Sequence, residues 1–79
     1  MEKEMGIKLL EIVNTVLENR KKKLITSITP EMDLRNDIGL DSLDLAELTV
    51  RIEAEYDIDI FEDGIVNTIG EILEILKSK

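Results

Sequence analysis

Apolar residues at Met5, Leu9, Ile12, Val13 and Val16 recur at steps of three and four. That spacing gathers side chains on one face of a helix, and the pattern runs from Glu2 to about Lys22. Ile7, Leu10 and Leu17 widen the stripe, as suits a helix with more than one neighbour, and Leu24 and Ile25 follow closely enough to tack its exit to the core. The next stretch, TSITPEMDLRNDIGL, loses the period and carries the sole proline with Asn36 and Gly39. It reads as a long ordered connection anchored by Ile28, Leu34, Ile38 and Leu40. Within it, Thr29 followed by Pro30 fits a short helical turn, because proline suits the first helical position.

The period returns from Ser42 to Tyr56. Asp41 stands where a cap belongs, and Asp44 three residues later makes an acidic variant of the capping box. Leu45, Leu48, Ile52 and Tyr56 form the face to be buried. Leu43, Ala46 and Val50 lie on another side among Asp44, Glu47, Arg51 and Glu55, a small apolar strip in an acidic surface. In DIDIFEDGIVN, Ile58 and Ile60 alternate like a strand with no second strand to pair with, so a loop and a short helical turn are expected. Thr68 then caps a last helix with Glu71 three residues on, and Ile69, Ile72, Leu73 and Leu76 give its buried stripe. The expectation is an all-α single domain, residues 1–79: a small bundle of three main helices plus one short helix, with a long loop between the first and second.

Composition narrows the chemistry. A chain of 79 residues, 43% hydrophobic and 35% charged, has the balance of a domain that folds alone. It has no cysteine and no histidine, so disulfides, thiolate metal sites and the usual general base are all missing. The acidic run around Asp57, Asp59 and Asp63 does not space as a calcium loop: counted from Asp59, Phe61 takes a ligand position and Gly70 stands twelfth. No metal site is expected. No apolar run has the length of a membrane span or a signal peptide, which points to a cytoplasmic protein. The net charge of -8 repels nucleic acid and favours protein partners with basic patches. The run Arg20 to Lys23 is read as the cationic end of the first helix, since no aromatic residues interleave with it as they would in a nucleic-acid patch.

One hydroxyl stands out by position. Ser42 lies between Asp41 and Asp44 at a helix start, with no base to remove its proton, and the acids beside it raise the cost of an alkoxide. It is a poor nucleophile in its own right and better suited to modification by an enzyme that supplies base and metal.

The run DIGLDSLDLAELTVRIEAEYDIDI resembles the acyl carrier proteins, whose Asp-Ser-Leu motif is matched at Asp41, Ser42 and Leu43. The resemblance takes in the helix before the motif, the long loop, the acidic helix after it and the capped final helix. It implies a carrier rather than an enzyme. A phosphopantetheinyl transferase would move 4'-phosphopantetheine from coenzyme A onto Ser42, and the arm's thiol would hold acyl groups as thioesters for the separate acyl-transferring and chain-elongating enzymes of fatty-acid or related lipid and polyketide synthesis. In the family the helix after the serine docks enzymes rich in Arg and Lys. The matching positions are Asp44, Glu47 and Glu53, with Leu43, Ala46 and Val50 as apolar contacts. Leu48, Thr49, Ile69 and Leu73 are candidates to line a pocket for the acyl chain, and a monomer is implied. Arg51 and Ala54 depart from the acidic pattern and suggest partners other than those of a housekeeping fatty-acid carrier. An aminoacyl or peptidyl carrier, and an acidic interaction module that carries nothing, remain alternatives.

Overall fold

Helix α1 (Glu2–Asn19) turns Leu9, Ile12, Val13, Val16 and Leu17 into the core, with Met5 packed at its edge. Ile7 is half-exposed, because a residue two places before Leu9 sits about 200° round the helix from it. The chain is described by a computed structural model over residues 2–62 and 64–78; Asp63, which entered the calcium count, lies outside the described residues.

Helix α1 stops at Asn19, short of the expected Lys22, because Lys21 takes a left-handed conformation with φ 57°. There the Lys21 N–H donates to the Glu18 carbonyl at 3.0 Å and the Lys22 N–H to the Leu17 carbonyl at 2.8 Å. This paired closure satisfies the last carbonyls of the helix and ordinarily uses glycine at the left-handed position. A Lys21→Gly variant is therefore expected to gain up to about 1 kcal/mol of stability, visible as a higher urea midpoint. Beyond the turn, Asn14 grips Ile25: its Nδ2 donates to the Ile25 carbonyl and its Oδ1 accepts from the Ile25 N–H, both at 2.9 Å. Ile25 packs on the core, whereas Leu24 is half-exposed and tacks nothing down.

The long connection is organised by its own side chains and by the far end of the chain. Asp33 Oδ1 accepts from the Arg35 and Asn36 N–H groups, both at 2.8 Å, while Asp37 Oδ2 accepts from the Asp33 N–H at 2.7 Å. Leu34, Ile38 and Leu40 are buried and Ile28 is partly so, as the pattern predicts. The short helix is reduced to isolated turns, the Met32 N–H to the Thr29 carbonyl at 3.1 Å and the Glu62 N–H to the Asp59 carbonyl at 3.2 Å.

Helix α2 (Ser42–Tyr56) and helix α3 (Ile69–Ser78) complete the bundle. Asp57, left-handed at φ 59°, ends α2 by donating its N–H to the Glu53 carbonyl at 2.7 Å. At the start of α3, the Ile69 and Gly70 N–H groups donate to the Met32 and Pro30 carbonyls, each at 3.0 Å, and the Leu34 N–H reaches the Asn67 carbonyl at 2.8 Å. An isolated antiparallel bridge between Asp33 and Thr68 marks this seam. Gly70 suits this close approach: a Cβ there would sit 3.0 Å from the Pro30 carbonyl oxygen and 3.1 Å from the Pro30 Cβ, so a larger residue would push Pro30 back by a few tenths of an ångström. Helix α1 packs against both other helices, while α2 and α3 touch each other only weakly. Ile60 and Val66, from the segment joining α2 to α3, are buried in the same core. Among the described residues no helix is long and apolar enough to cross a membrane.

The cap of α3 makes a pH prediction. Glu71 Oε1 accepts from the Asn67 N–H at 2.6 Å and the Thr68 N–H at 2.9 Å, and Thr68 Oγ1 accepts from the Glu71 N–H at 3.2 Å. These backbone donors, Asn67 first, favour the carboxylate and hold the Glu71 pKa below its usual 4.5. A depressed pKa contributes stability that is present above the unfolded value and lost as pH falls through the folded one. The difference in urea midpoint between the native chain and Glu71→Gln should thus be full at neutral pH and close below pH 4.5. A gap that stayed constant on acidification would remove the charge from the account.

Candidate functional site

The site is the start of α2. Asp41, with φ −100° and ψ −173°, has the extended backbone of an N-cap. Its Oδ1 accepts from the Asp44 N–H at 2.9 Å, and Asp44 Oδ2 accepts from the Asp41 N–H at 3.1 Å, closing the capping box that the spacing predicts. Ser42 is the first helical residue. It is exposed, and among the described residues its hydroxyl makes no hydrogen bond. Leu43, the third motif residue, is 67% exposed. Gly39, just upstream, turns the chain at φ 93°.

Asp44 is placed differently from expectation. It is 0% exposed, so its carboxylate is not offered to a docking enzyme. Two bases from the turn that follows α1 reach it instead. Lys22 Nζ donates to Asp44 Oδ2 and, at 3.0 Å, to the Gly39 carbonyl, and it lies 3.6 Å from Asp41 Oδ2. Arg20 places Nε 3.5 Å from Asp44 Oδ1 and a terminal nitrogen 3.5 Å from Asp41 Oδ2. Arg20 and Lys22 of the basic run are therefore a clamp on the serine motif, and the last turn of α1 itself holds no base. The hydrogen bond to Asp44 raises the Lys22 pKa, against desolvation. The Asp44 N–H, helped by Lys22 and Arg20, lowers that of Asp41. Two acids beside Ser42 are matched by two bases, so the motif is far less negative than its sequence reads.

Along α2 the apolar strip is open: Val50 is 63% exposed, and Ala46, Glu53 and Ala54 are exposed with it. Glu47 is half-buried. Its Oε2 accepts from Asn19 Nδ2 at 3.0 Å and Arg51 Nε at 2.9 Å, and these bonds, Asn19 first, lower its pKa. Arg51 thus cancels its neighbour Glu47 rather than adding a free positive charge to the strip.

A groove of about 540 Å³ opens beside the serine. Ser42, Leu45, Ala46 and Thr49 line it from α2, and Phe61, Ile65, Val66 and Asn67 from the segment before α3, together with Arg35 and Asp59. Of the four residues expected to line an acyl pocket, this groove contains Thr49. Leu48 and Ile69 are 0% exposed, in the closed core, because they sit on the inner faces of their helices against α1. Leu73 lies in a separate groove with Met5, Pro30 and Gly70. The pattern misses Phe61, Ile65 and Val66, since their segment has no period. The available signal is a run of apolar residues in a loop, with Ile65 82% exposed.

Comparisons with known proteins agree on one family. The family model described as phosphopantetheine attachment site matches residues 7–76. The acyl carrier protein of Amoebophilus asiaticus is 41% identical over 54 residues, covering 66% of this chain and 68% of that protein. Those of Trieres chinensis and a Picosynechococcus species are each 30% identical. The first aligns over 69 residues, 85% of this chain and 86% of the relative, and the second over 77 residues, 95% of each.

Proposed function

The chain belongs to the acyl carrier protein family, whose members are carriers rather than enzymes and hold 4'-phosphopantetheine covalently, and from that premise we propose that Ser42 receives the arm. The observation that carries this reading is the exposed, unbonded hydroxyl at the first position of α2, flanked by Asp41 and Leu43. A transferase supplies what the chain lacks, a base for the serine proton. The Ser42 oxygen attacks the pantetheine-side phosphorus of coenzyme A, the phosphoanhydride bond breaks, and adenosine bisphosphate leaves with its electron pair. The product is a phosphodiester ending in a thiol. The thiol's thioesters have an electrophilic carbonyl and an acidic α-carbon, the reactivity that acyl-transferring and chain-elongating enzymes use.

Docking is assigned to the open side of α2. Leu43, Ala46 and Val50 offer apolar contact, and Glu53 with the partly covered Glu47 offers charge to basic enzyme surfaces. Asp44 is excluded by its burial. Charge complementarity of this kind raises the rate of encounter more than affinity, as a carrier that must leave its partner requires. The pathway assigned is fatty-acid synthesis or a related lipid or polyketide route. The groove between Thr49 and Val66 is assigned to the first part of the cargo, with parting of the weakly joined α2 and α3 opening Leu48 and Ile69 to longer chains. The experiment is an intact mass measurement after incubation with coenzyme A and a promiscuous phosphopantetheinyl transferase. One added phosphopantetheinyl group is expected; an unchanged mass favours the interaction module that carries nothing.

A further inference from the structure

The chain has three arginines, and two of them are matched with carboxylates: Arg20 with Asp41 and Asp44, Arg51 with Glu47. Arg35 is different. It lines the groove beside Ser42, and among the described residues its guanidinium has no ion pair. Acids are close in sequence and space, yet each is engaged by backbone. Asp33 holds the Arg35 and Asn36 N–H groups, Asp37 holds the Asp33 N–H, and Asp59, in the same groove, holds the Phe61 N–H at 2.9 Å. In a chain of net charge -8, an arginine left open in the groove that an exposed, modifiable hydroxyl also lines is a place for an anion that is brought there.

We infer that Arg35 pairs with the phosphodiester that the arm brings to Ser42, and so holds the arm over the groove. The inference rests on Ser42 carrying the arm. A phosphate on the Ser42 oxygen lies one bond from a groove residue, and a guanidinium matches two phosphate oxygens with parallel N–H donors. Of the acids that would repel that phosphate, Asp41 and Asp44 are already paired with Arg20 and Lys22. On the groove side the phosphodiester meets two charges, the Asp59 carboxylate, turned to the Phe61 N–H, and Arg35, the one cation lining the groove among the described residues. The apolar wall of Leu45, Ala46, Phe61 and Val66 limits screening of the pair. A carboxylate at the end of a cargo has the same oxyanion chemistry, but it arrives at the far end of the arm, whereas the phosphodiester is fixed at its root.

The test uses the whole chain with and without the arm, loading verified by intact mass, and reads the Arg35 Nε–H signal and the phosphorus resonance by NMR. Loading should move the Arg35 signal, and the displacement should fade as salt rises from about 0.05 M to about 0.5 M. Arg35→Gln should abolish the salt dependence of the phosphorus shift, Arg35→Lys should keep part of it, and Arg51→Gln should keep all of it. For a partly exposed pair the expected bias toward the held arm is about two- to five-fold. An Arg35 signal that stays still in a fully loaded protein overturns the inference and leaves Ser42 as the attachment point. A signal that moves only after a carboxylated acyl group is added to the thiol also overturns it, giving the oxyanion to the cargo. Absence of any loading removes the Ser42 reading and this inference together.

Discussion

Ser42→Ala should take up no phosphopantetheine under conditions that load the native chain fully, while unfolding at a urea concentration close to the native one. The two halves of that result have separate causes. The hydroxyl is the atom to be esterified, so its removal leaves nothing to modify. The side chain makes no hydrogen bond, and the cap of α2 is Asp41, so the helix start keeps its full set of bonds when Ser42 shrinks. A surface change of this kind shifts stability by no more than about 0.5 kcal/mol. Intact mass and a urea titration on the same preparation read both halves. Loading of the alanine variant would place the arm elsewhere, on another of the chain's hydroxyls.

Asp44→Ala should do the reverse, damaging the fold first and loading second. Asp44 is fully buried, and its carboxylate joins the Asp41 N–H, Lys22 and Arg20 at one point. Alanine leaves that N–H without an acceptor and the bases without their inner partner, while a cavity opens behind the motif. Breaking such an arrangement from one side costs about 3 kcal/mol. That is a large part of the roughly 4–12 kcal/mol expected for a domain of this length. The measurable outcome is a marked fall in urea midpoint, with loading slowed because Asp41 and Ser42 lose their fixed geometry. A double-mutant cycle with Lys22→Met separates the pair from the cap: if the two changes were simply additive, Lys22 would be a bystander.

The helices were legible because burial on one face leaves a period in the sequence. Leu45, Leu48 and Ile52 on α2, and Ile69, Ile72 and Leu76 on α3, sit where steps of three and four put them. Both N-terminal caps were legible too, from Asp41 with Asp44 and Thr68 with Glu71. The clamp was not. Lys22 and Asp44 are 22 positions apart on either side of a loop, and spacing says nothing about contacts made after a chain reverses. The end of α1 was misplaced for a related reason, since nothing in the residue type of Lys21 announces a left-handed backbone. Asp44 stood as a docking position through the resemblance to the family, and nothing in the sequence opposed it, because an acidic residue in a capping box reads as surface until a base from elsewhere allows it to be buried. For the acyl pocket the limit is the opposite one: inward-facing periodicity marks Leu48 and Ile69 as apolar but does not separate closed core from open groove.

Helix α3 is ten residues long, too short to persist in water unaided, and its first two free N–H groups are held by carbonyls from residues 30 and 32. The final helix and the middle of the first loop are consequently one thermodynamic object, although the whole of α2 separates them along the chain. Amide exchange should report them together: Leu34, Ile69 and Gly70 should lose protection at a common free energy of opening. Any perturbation that loosens the loop under the serine would then be felt at the C-terminal end of the molecule.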